Sequence, residues 1–146
     1  MRTIVVGYDD SDASKRALDR AIEEAKGAGG RIFIVSVVEL PLNPEGPQNY
    51  GTLDDSPAVS LPLVVPPELE PVKAHAEERL AAARVPAEFF WAAGDPAREI
   101  VDAARDNKAS LVVLGEHHHS LLGRLFGTDV AATVEHELDA QVIVVE

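Results

Sequence analysis

Short apolar runs alternate along the chain with stretches in which apolar residues return every third or fourth position. Thr3-Ile-Val-Val-Gly-Tyr8 is a β-branched run of strand type. Ser11 stands where it would cap the helix that follows. Ala17, Leu18, Ala21, Ile22 and Ala25 then recur at helical spacing, and Gly27, Gly29 and Gly30 end that helix. A second strand is predicted over Arg31–Val38, and a helix opens on Pro67 and runs to Arg84 with Leu69, Val72, Ala76 and Leu80 on one face. Ala87–Ala92 reads as the third strand. Pro96 suits a first helical position and leads Ile100, Val101, Ala103 and Ala104 into a helix that ends near Asn107. Ser110–Leu114 is the fourth strand, a helix is predicted over about Phe126–Leu138, and Gln141–Val145 closes the pattern.

Strands separated by helices pair in parallel through right-handed crossovers. Three of these strands are apolar on both faces, as strands are when helices cover a sheet on each side. The pattern predicts a single α/β domain over residues 1–146, an open parallel five-stranded sheet in three layers. One segment breaks the alternation. Residues 39–66 hold most of the ten prolines and have no period. So long a connection serves as a lid, a partner-binding loop or a mobile spacer. It leaves the second strand at its carboxyl end, where Asp9 and Gly115 also emerge and where open α/β sheets bind ligands.

Composition narrows the function. With 13 basic against 25 acidic residues and a net charge of −12, the chain is poorly suited to neutralising phosphates along a nucleic acid. The acidity serves solubility, or presents a face to a cationic partner. The absence of cysteine removes disulfides, redox thiols and thiolate metal sites. No apolar run approaches the roughly 18 residues of a membrane span, and the N-terminus lacks a signal-peptide pattern. A cytoplasmic protein with no membrane or nucleic-acid partner is expected.

Three motifs in order carry a resemblance. Ile4-Val-Val-Gly-Tyr-Asp9-Asp-Ser11 followed by Ser14-Lys-Arg-Ala-Leu18, then Gly94-Asp-Pro-Ala-Arg-Glu-Ile-Val-Asp-Ala-Ala104, then Ala109-Ser-Leu-Val-Val-Leu-Gly115 resemble the universal stress proteins over the full length. The resemblance implies the adenine nucleotide alpha hydrolase-like fold, strand order 3-2-1-4-5, and a homodimer built partly through strand 141–145. It implies a binding and signalling role in stress, with ATP or AMP and Mg²⁺ as the ligands such a site would take. It also implies that Asp9 contacts the nucleoside and helps hold a metal, and that the backbone at Val37 lies near the base.

The segment from Gly115 to Val130 is where such proteins hold phosphate. Nucleotide-binding members show Gly, two residues, Gly, nine residues, then Gly-Ser or Gly-Thr and a valine. Without gaps, Gly115 and Val130 match the first glycine and the valine, but His118 replaces the second glycine and Thr128-Asp129 the closing pair. Sliding by one residue recovers Gly127-Thr128 and puts Asp129 at the valine. Either way a carboxylate stands near the phosphate. Two like charges about 5 Å apart at an effective dielectric of about 20 repel by roughly 3 kcal/mol. A bridging Mg²⁺ or Arg124 would offset this, but Asp129 can also cap the helix start itself. Tight ATP binding is therefore disfavoured. Asp9 has two readings as well, nucleoside contact or a turn into the first helix beside Asp10 and Ser11.

His117, His118 and His119 are consecutive, so they diverge and cannot all face one ion, and no His pair stands at i, i+4. Two of them with Asp9 or Glu116 could still hold a divalent ion, against solvated histidines as the simpler reading. His75 and His136 read as surface residues. No nucleophile elbow, Walker lysine or Gly-x-Gly-x-x-Gly is present. The expected protein is a non-enzymatic binding module with a partly degenerate adenine-nucleotide site. The alternatives are an ATP- or AMP-binding switch of the same fold and a weak nucleotide hydrolase in which Asp9 and a loop histidine activate water.

Overall fold

The computed structural model describes residues 2–38, 65–115 and 128–145. Its elements in chain order are β1 (Arg2–Gly7), α1 (Asp12–Ala28), β2 (Gly30–Val38), a 3₁₀ turn (Pro67–Leu69), α2 (Glu70–Ala83), β3 (Ala87–Ala93), α3 (Pro96–Asp106), β4 (Leu111–Gly115), α4 (Thr128–Glu137) and β5 (Gln141–Val145). The strands form one parallel sheet in the order β3-β2-β1-β4-β5. The predicted architecture and strand order are both observed. The prolines of 41–62, and all of the 39–66 excursion except Val65 and Pro66, fall outside the described residues.

The central strand shows why the sheet needs two helical layers. Ile4, Val5 and Val6 are all fully buried, but successive side chains point to opposite faces. Ile4 and Val6 join Leu18, Ile32, Leu111 and Val113 beneath α1 and α2. Val5 joins Val35, Val37, Ile100, Val112 and Val134 beneath α3 and α4. Each such side chain contributes about 1.5–3 kcal/mol by leaving water. A one-residue slip of β1 would exchange the two cores, so the register Val5↔Phe33 and Val5↔Val112 is strongly specified.

Local chemistry sets the ends. The Ser11 side chain accepts from the Ser14 amide and caps α1, and Asp95 caps α3 in the same way through the Arg98 amide, with Pro96 at the first helical position. Helix α1 runs through Gly27 to Ala28 and is stopped by Gly29 at φ 79°, the second of the three glycines expected to end it. The Pro67–Arg84 stretch divides into the 3₁₀ turn and α2, and no side chain caps α2 at Leu69. It ends on Arg84, which takes the left-handed conformation at φ 60°.

Candidate functional site

In the order β3-β2-β1-β4-β5 the chain winds outward from β1 to β3 and then crosses back to β4. The carboxyl ends of β1 and β4 therefore flank the topological switch point, the crevice in which open α/β sheets hold ligands. Asp9 follows β1 there and Gly115 ends β4 there.

The first turn of α1 joins these two positions. Asp9 is 3% exposed. Its Oδ1 accepts from the Ser11 amide at 3.0 Å, and its own amide donates to Ser14 Oγ at 3.2 Å. Ser14 Oγ in turn donates to the Ser11 carbonyl at 3.0 Å. The turn-forming role of Asp9 is thus observed, and it fixes a buried carboxyl group at the mouth of the crevice. Gly115 packs against the same turn. A Cβ on Gly115 would stand 2.5 Å from the Ala13 carbonyl carbon and 2.8 Å from the Ser14 amide nitrogen. The closeness of α1 to β4 alone demands glycine here, before any ligand is considered.

Val37 is fully buried, and its side chain belongs to the core under α3, so only its backbone could face a base. The neighbouring Ser36 Oγ donates to the Tyr8 carbonyl at 2.6 Å inside the protein, tying β2 to the end of β1. Val130 is likewise a core residue packed with Val134 and Leu114. Thr128 and Asp129 lie in the first turn of α4. His118 and Gly127, together with His117, His119, Glu116 and Arg124, fall outside the described residues. The structure thus brings together Asp9, Gly115 and the strand end at Val37.

Several residues at this edge carry no local sequence signal. Tyr8, fully buried, donates its hydroxyl to Asp10 Oδ1 at 2.9 Å. Burial, then this hydrogen bond, holds the Tyr8 phenol well above its usual range. Asp10 adopts φ 68°. Its Oδ2 lies 2.7 Å from Nδ1 of His75, which comes from α2 and is exposed, as expected of a surface residue. Among the described residues no group of three or more His, Asp or Glu side chains is placed to hold a metal ion. No described helix is long and apolar enough to cross a membrane. A cavity of about 300 Å³ runs between α3 and α4 beside Arg98, Arg105 and Glu137.

The sequence model of the universal stress protein family matches residues 1–146. The chain belongs to that family. It is similar to a universal stress protein of Thermus aquaticus, 32% identical over 99% of this chain and 98% of that protein. One from Mycobacterium tuberculosis is also 32% identical, over 99% of this chain and 95% of its own length. Among solved structures it is similar to a universal stress protein in complex with cAMP, with TM-score 0.68 and 26% identity over 99% of this chain and 96% of that one. The three sequence motifs thus identify the family correctly.

Proposed function

We propose that this universal stress protein is a non-enzymatic binding module that holds an adenine nucleotide by its nucleoside end at the β1–β4 crevice, with a weak hold on phosphates. The observation that carries the reading is Asp9, a buried carboxyl group fixed at the carboxyl end of the central strand, at the topological switch point. The similar structure that contains cAMP supports a ligand with few phosphate charges. The phosphate half of the site points the same way. It has His118 and Asp129 where nucleotide-binding relatives carry glycine and serine, threonine or valine, and the protein has a net charge of −12. The ligand order that follows is cAMP before AMP and AMP before ATP, with Mg²⁺ helping ATP most.

Calorimetry or thermal shift with the three nucleotides tests this order. A ligand at about 100 times its Kd adds about 2.7 kcal/mol of stability, roughly 5–10 °C in Tm for a chain of this size. A Tm unmoved by millimolar cAMP and AMP would overturn the reading, as would ATP binding more tightly than cAMP.

The partner proposed is a second copy through β5. Gln141-Val-Ile-Val-Val145 has no charge, proline or glycine, and it is half-buried at the sheet edge with Val144 38% exposed. An uncharged apolar edge strand of this kind invites pairing with another strand. Replacing Val144 with lysine should convert a dimer to a monomer in light scattering. A wild-type protein that is already monomeric at micromolar concentration would rule the dimer out.

A further inference from the structure

Residue Asp10 sits at φ 68°, a left-handed backbone that few residues with a side chain adopt and that aspartate tolerates better than most. Three elements converge on its carboxylate. From β1's end the buried Tyr8 hydroxyl donates to Oδ1 at 2.9 Å. From α1 the Lys15 ammonium stands 3.9 Å from Oδ1. From α2, 65 positions along the chain, His75 Nδ1 lies 2.7 Å from Oδ2. Opposite a carboxylate oxygen at that distance, Nδ1 carries the proton and donates. Of the three, His75 alone comes from outside the β1–α1 unit.

The residue held in this way is the neighbour of Asp9. Asp9 keeps its place through short local bonds, its Oδ1 to the Ser11 amide and its amide to Ser14 Oγ. These bonds require the chain to double back at Asp10. A left-handed residue persists where its surroundings over-determine it, and such positions gather at ligand clamps. We propose that His75 is a positioning residue for the nucleotide site: by bonding Asp10 it fastens α2 to the β1–α1 turn and holds Asp9 ready for the nucleoside. The assignment of a ligand to Asp9 rests on the function proposed above. The fastening of the turn does not.

Two variants test it. His75→Ala removes the bond yet leaves a better helix former in α2, so a loss cannot come from a weakened helix. His75→Asn keeps an amide donor where Nδ1 stood. Amide hydrogen exchange at Ser11 reads the turn directly, with Val112 and Val113 in β4 as internal controls. Loss of one net hydrogen bond should speed exchange at Ser11 about fivefold in His75→Ala, with His75→Asn within about twofold of wild type and β4 unchanged. Wild-type exchange at Ser11 in His75→Ala would overturn the fastening, and so would equal acceleration in β4, which marks a general loss of stability.

Calorimetry with cAMP reads the site. Affinity should fall about fivefold in His75→Ala and recover in His75→Asn. Unchanged affinity alongside faster Ser11 exchange would overturn the positioning role. If wild type binds no cAMP, the nucleotide assignment fails, and Ser11 exchange still decides whether His75 fastens the turn.

Discussion

Gly115 is the position where a functional motif and a packing requirement can be separated by experiment. In a phosphate loop its glycine serves the ligand, so alanine there should leave stability intact and weaken binding. The geometry predicts otherwise. An alanine Cβ would lie 2.5 Å from the Ala13 carbonyl carbon, 2.6 Å from its oxygen and 2.8 Å from the Ser14 nitrogen. Comfortable carbon contacts begin at about 3.5 Å, so α1 would have to retreat by about 1 Å. All three obstructing atoms are backbone, and no rotamer change relieves them. The retreat would loosen a face made of small residues, Ala13, Ala17, Ala21 and Ala25 with Leu18, whose contacts depend on close approach. Overpacking costs about 1–3 kcal/mol and occasionally more, and this site belongs at the upper end. About 3 kcal/mol corresponds to roughly 6–12 °C in Tm for a domain of this length. Gly27 is the internal control. It lies within α1 with nothing within 4 Å of an added Cβ, so Gly27→Ala should raise stability by about 0.5–1 kcal/mol. Urea unfolding followed by circular dichroism compares the two variants. A Gly115→Ala protein less than about 1 kcal/mol below wild type would refute the packing argument, most clearly if nucleotide binding were lost at the same time.

Two further outcomes follow from the structure. The raised phenol of Tyr8 means that the folded protein keeps a proton the unfolded chain releases, so stability should fall as pH rises above about 10; spectrophotometric titration should show Tyr8 ionising only on unfolding. Arg84 ends α2 in the left-handed region at φ 60°, so Arg84→Gly should gain about 0.5–1 kcal/mol by removing the Cβ penalty, read as a rise in the urea midpoint at constant m.

The strands were legible because burial on both faces leaves no room for polar residues. Val5 and Val6 had to serve different cores, and both had to be apolar. Caps were legible for a related reason, since Ser11 and Asp95 act within three residues of themselves. Gly115 was legible as special, but its cause was not, because the obstructing atoms of Ala13 and Ser14 lie about a hundred positions away in the chain. His75 shows the same limit more sharply. A half-exposed histidine on a polar stretch of helix looks solvated until the fold brings Asp10 to it, and no periodicity marks a contact of that range. The Asp9-Asp10-Ser11 turn lies between these cases. Aspartate tolerates left-handed backbone better than most residues, so a turn was visible and its hand was not.

Charge at the start of α4 supplies the remaining test of how the site chooses its ligand. The amides of a helix start attract anions, and Asp129 brings one into the first turn of α4. A phosphate bound at those amides would share the helix start with this residue's charge, and a like-charge pair about 5 Å apart at an effective dielectric of about 20 repels by roughly 3 kcal/mol. The repulsion grows with the number of phosphate charges, so it bears least on cAMP and most on ATP. Asp129→Ser should therefore improve ATP binding by about tenfold or more, AMP by less, and cAMP least, and added Mg²⁺ should shrink the gain for ATP. Asp129 is the second residue of α4 and not the cap expected from the sequence, so its replacement costs the folded state only the helix-end attraction of about 0.3–1 kcal/mol, small beside the effect on ATP. Equal gains for all three nucleotides would mean that the carboxylate acts by bulk or by helix start geometry rather than by charge. No gain for ATP would show that Asp129 does not stand against the phosphates, and the weak hold on them would have to arise at His118 instead.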